Sequence, residues 1–394
     1  MVKRTVTSEF VSFGHPDKIA DQIADAILDQ FLIKDKNVRA GIEVLVKDNI
    51  VVLGGEISSV ASIDYDEVVR LVYKNLHFSD EHHLSADNIK IINLIGKQSQ
   101  EIHSGVDKND GSIGAGDQGF MVGFASNETS VYMPLGIYVA KAICKCVANG
   151  YWDEKRQMLY LGPDVKSQVI VDYDENGNAS ISSILLSTMS ELPLEETRDI
   201  VKTIILDNDM KIDEDIFKRY IESKEIKIDV NPCGSWKIGG PVSDCGVTGR
   251  KLVVDQYGGY SNIGGGNLSG KDMTKVDKSA AYMARYLAKN IVASGICDTA
   301  RIELSYMIGI PEPSSINIVM NRNQEKERVI KDWIKENIDL TPSGIIKRFD
   351  GDYPRNYHLS RYGHFGVDVN KYPTSEERYP WEKLDICDLL KKIL

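Results

Sequence analysis

The chain has 394 residues, 42% of them hydrophobic, which is enough for a large core and for two or three domains. Its formal net charge of −11 argues against a non-specific nucleic-acid binder, which needs a basic surface. The opening residues MVKRTVTSEF hold no apolar run of signal-peptide length, and no apolar stretch reaches the ~18 residues of a membrane span, so no membrane partner is expected. Six cysteines (Cys144, Cys146, Cys233, Cys245, Cys297 and Cys387) form no C-x-x-C pair and read as reduced thiols of a cytoplasmic protein.

Read in order, the chain begins with a strand, KRTVTS, and a helix over Asp17–Ile33. There Ile19, Ile23, Ile27 and Phe31 form one row, with Ala20, Ala24, Leu28 and Leu32 beside it. Asp21, Asp25 and Asp29 recur at i, i+4 and read as that helix's solvated face. A hairpin follows, VRAGIEVLVK and IVVLGGEIS around KDN, then a helix in YDEVVRLVYKNL and a strand in NIKIINLI. The order returns as the strand GFMVGFA, a helix starting near Met133 and a hairpin that turns at Asn176-Gly177. The helix LEETRDIVKTIIL and the strand IKIDV close this second repeat. It returns a third time as KLVVDQY, VDKSAAYMARYLAKNIVAS, RIELSYMIGIPEPSSINIVMN and EKERVIKDWIKENI, without a clear closing strand.

The chain therefore reads as an α+β protein of three strand–helix–hairpin–helix repeats of the split-βαβ kind. The repeat is one of pattern, not of residue identity. Expected domains are 1–102, 114–235 and 236–394, with 103–113 a mobile loop. The aromatic-rich tail is expected to pack on the third repeat and on a neighbouring subunit.

The chemically special residues fall in loops beside the leading helices. His15, Pro16, Asp17 and Lys18 open the first of these helices. The third is preceded by YGGYSNIGGGNLSGKDMTK, and residues 250–278 carry five basic and three acidic side chains in an acidic protein. Glycines followed by Lys271, Lys275 and Lys278, running into a helix N-terminus, suit a polyphosphate. It is not a P-loop, because Asp272 stands where the metal-binding Ser or Thr belongs. An aspartate at a helix start is commonly a cap or dipole partner. Asp17 and Asp277, equivalent in repeats one and three, also suit Mg²⁺ shared with phosphate oxygens. No nucleophile–histidine arrangement is apparent from spacing.

GHPDKIADQIADAILD, GGEI, IGKQS, GAGDQG, GPDVKSQV, IGGPVSDCGVTGRKLVVDQYGG, GGG-x-x-SGKD-x-TKVDKSAAY and SYMIG, in this order from residue 8 to about 310, strongly resemble the methionine adenosyltransferase (S-adenosylmethionine synthetase) family. The resemblance implies attack of the methionine sulfur on ribose C5′ of ATP, displacing tripolyphosphate, which is then hydrolysed to phosphate and diphosphate. It implies two Mg²⁺ and K⁺ as cofactors. His15 would act near the departing O5′, and Lys166, Arg250, Lys251 and Lys271 would hold the triphosphate, with His15, Lys166, Lys271 and Arg250 the catalytic set. Asp164 would bind the ribose. Ser235, Trp236, Asn267, Asp244 and Asp117 would complete the ATP site, Trp236 stacking on adenine. Glu56, Gln98, Asp244 and Lys275 would hold methionine. Asp17 and Asp277 would bind Mg²⁺, and Glu43 K⁺. Gln98–Lys108 would be a mobile gate. The implied fold is three similar α+β domains in a pseudo-threefold array, in a homodimer or homotetramer with sites between subunits.

The chain departs from the family pattern at Phe13, Trp236, Ile263, Asn267 and Leu268, on the nucleobase side more than the phosphate side. Two other readings are a tripolyphosphate or ATP hydrolase and a catalytically inactive regulatory homologue.

Overall fold

The computed structural model describes residues 2–78, 84–97, 113–150, 152–153, 158–159, 161–351, 353, 355–369 and 379–393. The first repeat comprises β1 (Val2–Val11), α1 (Pro16–Lys34), β2 (Arg39–Lys47), β3 (Ile50–Ser58), α2 (Tyr65–Lys74) and β4 (Lys90–Asn93). The second comprises β5 (Gly119–Ser126), α3 (Leu135–Ala148), the short β6 (Trp152–Asp153) and β7 (Met158–Leu159), β8 (Leu161–Asp174), β9 (Ala179–Ser190), α4 (Leu194–Leu206), α5 (Glu214–Tyr220) and β10 (Lys227–Val230). The third comprises β11 (Gly246–Val247), α6 (Leu252–Asp255), α7 (Val276–Ala293), β12 (Thr299–Tyr306), β13 (Ser315–Met320) and α8 (Glu327–Asn337). The tail adds α9 (Pro342–Phe349), α10 (Asn356–Tyr362) and α11 (Cys387–Lys392). The helices and hairpins thus lie where the hydrophobic periods put them. One strand does not: KLVVDQY holds the short helix α6, and the strand preceding it is only Gly246–Val247.

The sheets are not built repeat by repeat. Each leading strand pairs with the hairpin of another repeat. β1 joins the second hairpin in the order β1-β8-β9-β10, with Val6 opposite Val171. β5 joins the third in the order β13-β12-β5, with Gly123 opposite Ile302. β11 joins the first in the order β11-β2-β3-β4, with Val247 opposite Leu45. β4 and β10 add in parallel to their hairpins, and the remaining pairs are antiparallel. Alternate side chains of β12 and β13 point into the core, as period-2 strands require.

Each leading helix covers its own sheet: α1 lies on β2, α3 on β8 and β1, and α7 on β5 and β12. Gly123 lets α7 approach β5, since a Cβ there would stand 1.9 Å from the Ala284 carbonyl carbon. Ile19, Ile23, Ile27 and Leu28 are fully buried, each contributing roughly 1.5–3 kcal/mol.

The opposite face of α1 corrects the sequence reading: Asp21 and Asp25 are fully buried and Asp29 nearly so. What covers them comes from far along the chain. The tail also does more than pack on the third repeat, touching all three leading helices. Asn356 and Tyr357 donate backbone N–H groups to Asp29 of α1 at 3.0 and 2.9 Å. Lys141 of α3 donates to the Phe365 carbonyl at 3.0 Å. Glu382 accepts from Arg285 of α7 at 3.0 Å. All six cysteines are unpaired, and no helix among the described residues is long and apolar enough to cross a membrane.

Candidate active site

The first turn of α1 builds one wall of the site. His15 is its N-cap, in an extended conformation (φ −64°, ψ 137°), with Pro16 as the first helical residue. The His15 Nδ1 accepts from the Asp17 backbone N–H at 3.1 Å. A neutral ring has one acceptor and one donor nitrogen, so this bond places the remaining proton on Nε2. Burial, followed by the charges of Lys251 and Lys166, lowers the His15 pKa to about 2, and only Asp244 opposes them. His15 is therefore a neutral hydrogen-bond donor at working pH.

Asp17 is buried among cations. Its Oδ2 accepts from Lys251 at 2.5 Å, and its Oδ1 accepts from the Val247 N–H at 2.9 Å and lies 3.6 Å from Arg250. Lys166 stands on β8 opposite Val11 of β1, two strands from different repeats. On the same strand, Asp164 accepts from the Gly240 N–H at 2.7 Å, and burial pushes its pKa up to about 7. His15, Asp17, Asp164, Lys166, Asp244, Arg250 and Lys251 thus converge from all three repeats, as the exchanged strands allow.

A second group forms where the glycine loop meets β2. Lys271 bridges to Gly41 of β2, and Gly41 in turn faces Glu56 of β3. The Lys271 ammonium lies 2.7 Å from Asp277, the second residue of α7 as Asp17 is of α1. Gly266 cradles that carboxylate, since a Cβ there would overlap Asp277 at 2.1–2.5 Å. Between the groups, Glu43 of β2 accepts from the Thr248 hydroxyl, two residues before Arg250.

Other expected residues are engaged differently. Lys275 pairs with Asp272 at 2.6 Å, and this charge holds the Asp272 pKa below the usual range although burial opposes it. Lys278 does not extend its charge beside Lys271 and Lys275 but turns inward. It is buried and donates to the Lys271 carbonyl at 2.9 Å and to Asn356 at 2.6 Å. Asn267 closes on Ser269 through both ends of its amide. The Trp236 indole donates to the Ile238 carbonyl at 2.7 Å and is half-buried, while Ser235 and Asp117 are exposed. Phe13 is buried, with the Arg361 guanidinium of the tail 4.5 Å from its ring centre. Gln98 and the gate Gln98–Lys108 lie outside the described residues.

Sequence reasoning missed the buried supports: Lys18, which binds Asp21 and Asp255 at 3.1 and 2.6 Å, together with Asp25 and Lys278. A signal was present in the Asp-Lys pair that opens both α1 (Asp17-Lys18) and α7 (Asp277-Lys278).

Comparison with known proteins matches this architecture along its whole length. The S-adenosylmethionine synthetase N-terminal, central and C-terminal domain models match residues 3–100, 112–236 and 238–383. The S-adenosylmethionine synthases of Mycoplasma mycoides and Mesoplasma florum are 43% and 40% identical over 99% of this chain, and 97% and 100% of theirs. A solved structure described as an unusual S-adenosylmethionine synthetase from Campylobacter jejuni superposes with a TM-score of 0.85, at 37% identity and 99% coverage of each chain. With three domain models in order and full-length relatives above 30% identity, the chain belongs to the S-adenosylmethionine synthetase family.

Proposed function

We propose that the two charged groups joined by β2 are the site at which this methionine adenosyltransferase forms S-adenosylmethionine from ATP and L-methionine. The observation that carries the assignment is a neutral histidine donor beside Asp17, Arg250 and Lys251, with Lys166 acting on it through space. A thioether is already a neutral nucleophile, so the reaction needs placement and leaving-group stabilisation, not a general base. Lys166, Arg250, Lys251 and Lys271 hold the triphosphate. The His15 Nε2–H donates toward O5′ as the C5′–O bond breaks. Asp164 serves the ribose, and Ser235, Trp236, Asn267 and Asp117 the nucleoside. Glu56, Asp244, Lys275 and Gln98 serve methionine.

The family needs a divalent metal. Among the described residues no cluster of three or more His, Cys, Asp or Glu side chains makes an all-protein cage. Asp17 and Asp277, each already facing a lysine, fit an ion that takes one or two carboxylates and fills its shell with phosphate oxygens, as Mg²⁺ does. We assign two Mg²⁺ to them and K⁺ to Glu43. Such ions supply charge to the departing triphosphate. The outward row Leu45–Val52–Ile92 on the first sheet, with Leu45 38% and Ile92 48% exposed, supports a homodimer or homotetramer. The hydrolase and the inactive homologue are not favoured, because the family match runs through every domain.

Protein mixed with ATP, Mg²⁺, K⁺ and methionine should yield S-adenosylmethionine in step with phosphate and diphosphate, and none without methionine. Phosphate without adenosyl product would refute the assignment. Gly266→Ala should push Asp277 off its position and raise the Mg²⁺ concentration for half-maximal rate about 10- to 100-fold. A metal titration of the folded variant checks this.

A further inference from the structure

The α1 carboxylates form a ladder of which only the first, Asp17, belongs to the site already described. Asp17, Asp21, Asp25 and Asp29 are spaced i, i+4, so they share one helix face. Each accepts a backbone N–H from a segment distant in the chain. Asp17 takes Val247 at 2.9 Å, and Asp21 takes Gly249 at 3.0 Å. Asp25 takes Gly270 at 2.7 Å, and Asp29 takes Asn356 and Tyr357. The two middle rungs hold the residues immediately before Arg250-Lys251 and before Lys271. A loop that carries cations for a mobile polyanion has few contacts of its own to set its register.

The lysines complete the arrangement. Lys18 ties Asp21 to Asp255, which closes α6 just beyond Lys251. Lys278 holds the Lys271 carbonyl from the other side. Lys271 is thus fixed at the N–H before it, at its own carbonyl, and at its bridge to Gly41. These lysines occupy the same position in α1 and α7, one residue after Asp17 and Asp277. In α3 the residues corresponding to this Asp-Lys pair are Gly136 and Ile137, which have no such chemistry.

We propose that Asp21 and Asp25 are positioning residues for the triphosphate: each fixes, from the buried face of α1, the backbone of a loop whose cations hold the leaving group. This rests on the assignment of Arg250, Lys251 and Lys271 to the triphosphate. Asp21 and Asp25 are fully buried and act through the backbone they hold. They set where the charges stand, and a misplacement near 1 Å at such a centre costs up to about 10²-fold in rate.

The test is Asp25→Ser in the full chain, which removes the carboxylate that accepts from Gly270 and leaves only a shorter hydroxyl, compared with Asp25→Asn, which keeps an amide oxygen at the same reach. Asp25→Ser should weaken tripolyphosphate binding and lower kcat/KM for ATP about ten- to hundredfold. The KM for methionine should not move, and Asp25→Asn should recover most of the loss. Added to Lys271→Ala, Asp25→Ser should weaken tripolyphosphate binding no further, because both act through one side chain. A folded Asp25→Ser protein with unchanged tripolyphosphate affinity, or losses that add to those of Lys271→Ala, would overturn the proposal. If Lys271→Ala alone leaves tripolyphosphate binding intact, the phosphate assignment fails instead. Should Asp25→Ser not fold, Asp21→Ser, read against Lys251→Ala in the same cycle, decides in the same way.

Discussion

His15→Ala should lower the rate of adenosyl transfer by about 10²- to 10³-fold while leaving ATP affinity nearly unchanged. That is the usual cost of losing one donor aimed at developing charge. The Nε2–H matters only as the C5′–O bond breaks, so the loss belongs in kcat. Tautomer and charge are both fixed in the resting chain, by the Asp17 N–H and by burial beside Lys251 and Lys166. With its pKa lowered to about 2, His15 does not titrate between pH 5 and 9. The kcat/KM profile of the native chain, which reports the free enzyme, should therefore show no step in that range that His15→Asn removes. His15→Asn, which keeps an N–H donor, should retain more activity than His15→Ala. Single-turnover rates and equilibrium ATP binding separate the two quantities. An equal loss in both would mean that His15 holds the ground state.

Glu382→Ala should be the most destabilising single change outside the site, at about 3–5 kcal/mol. Glu382 is fully buried in the tail, accepting from Arg285 at 3.2 and 3.0 Å, Lys289 at 2.7 Å and the Gly366 N–H at 2.8 Å. Removing it strands two cations in the core of α7. Arg285 also donates to the carbonyls of Phe124, Val131 and Tyr132, so it cannot swing out to water without breaking the link to β5. Burial alone would raise the Glu382 pKa, but Arg285 and Lys289 hold it below the usual value. A depressed pKa gives stability that is present above the unfolded value, about 4.3, and lost as pH falls through the folded one. The gap between native chain and Glu382→Gln should accordingly narrow in acid. Denaturant melts at pH 7 and at about pH 3, below the unfolded value, measure it, and a constant gap would refute the ion-pair account.

The helices and hairpins were legible because their periods are local. Ile19, Ile23, Ile27 and Phe31 announce a buried helix face whatever lies opposite. The other face of α1 was misread for the complementary reason. Three aspartates at i, i+4 look solvated until loops from beyond residue 246 and the tail at 356 supply their N–H partners. KLVVDQY resembles a strand by its paired valines, yet the tight anchoring of Gly249 and Lys251 leaves room only for one helical turn. The expected site residues come from motifs carried in loops, and the structure brings His15, Asp17, Asp244, Lys166, Arg250 and Lys251 near one another. It could not be foreseen that Lys278 turns inward, because Lys271, Lys275 and Lys278 are alike in sequence and differ only in what buries them.

The exchanged strands also bear on how the chain is made. β1 is synthesised first, yet its partner β8 follows only after the whole first repeat and β5. The first hairpin likewise gains its last strand only when Gly246–Val247 appears. The first sheet therefore cannot close during synthesis of its own repeat, and the nascent N-terminal third waits with open edges. Loop closure over such spans is slow, and open edges invite pairing with other chains. Lys3, Arg4 and Glu9 along β1 place charge on a strand that waits for its partner, where it deters wrong partners until the right one is translated.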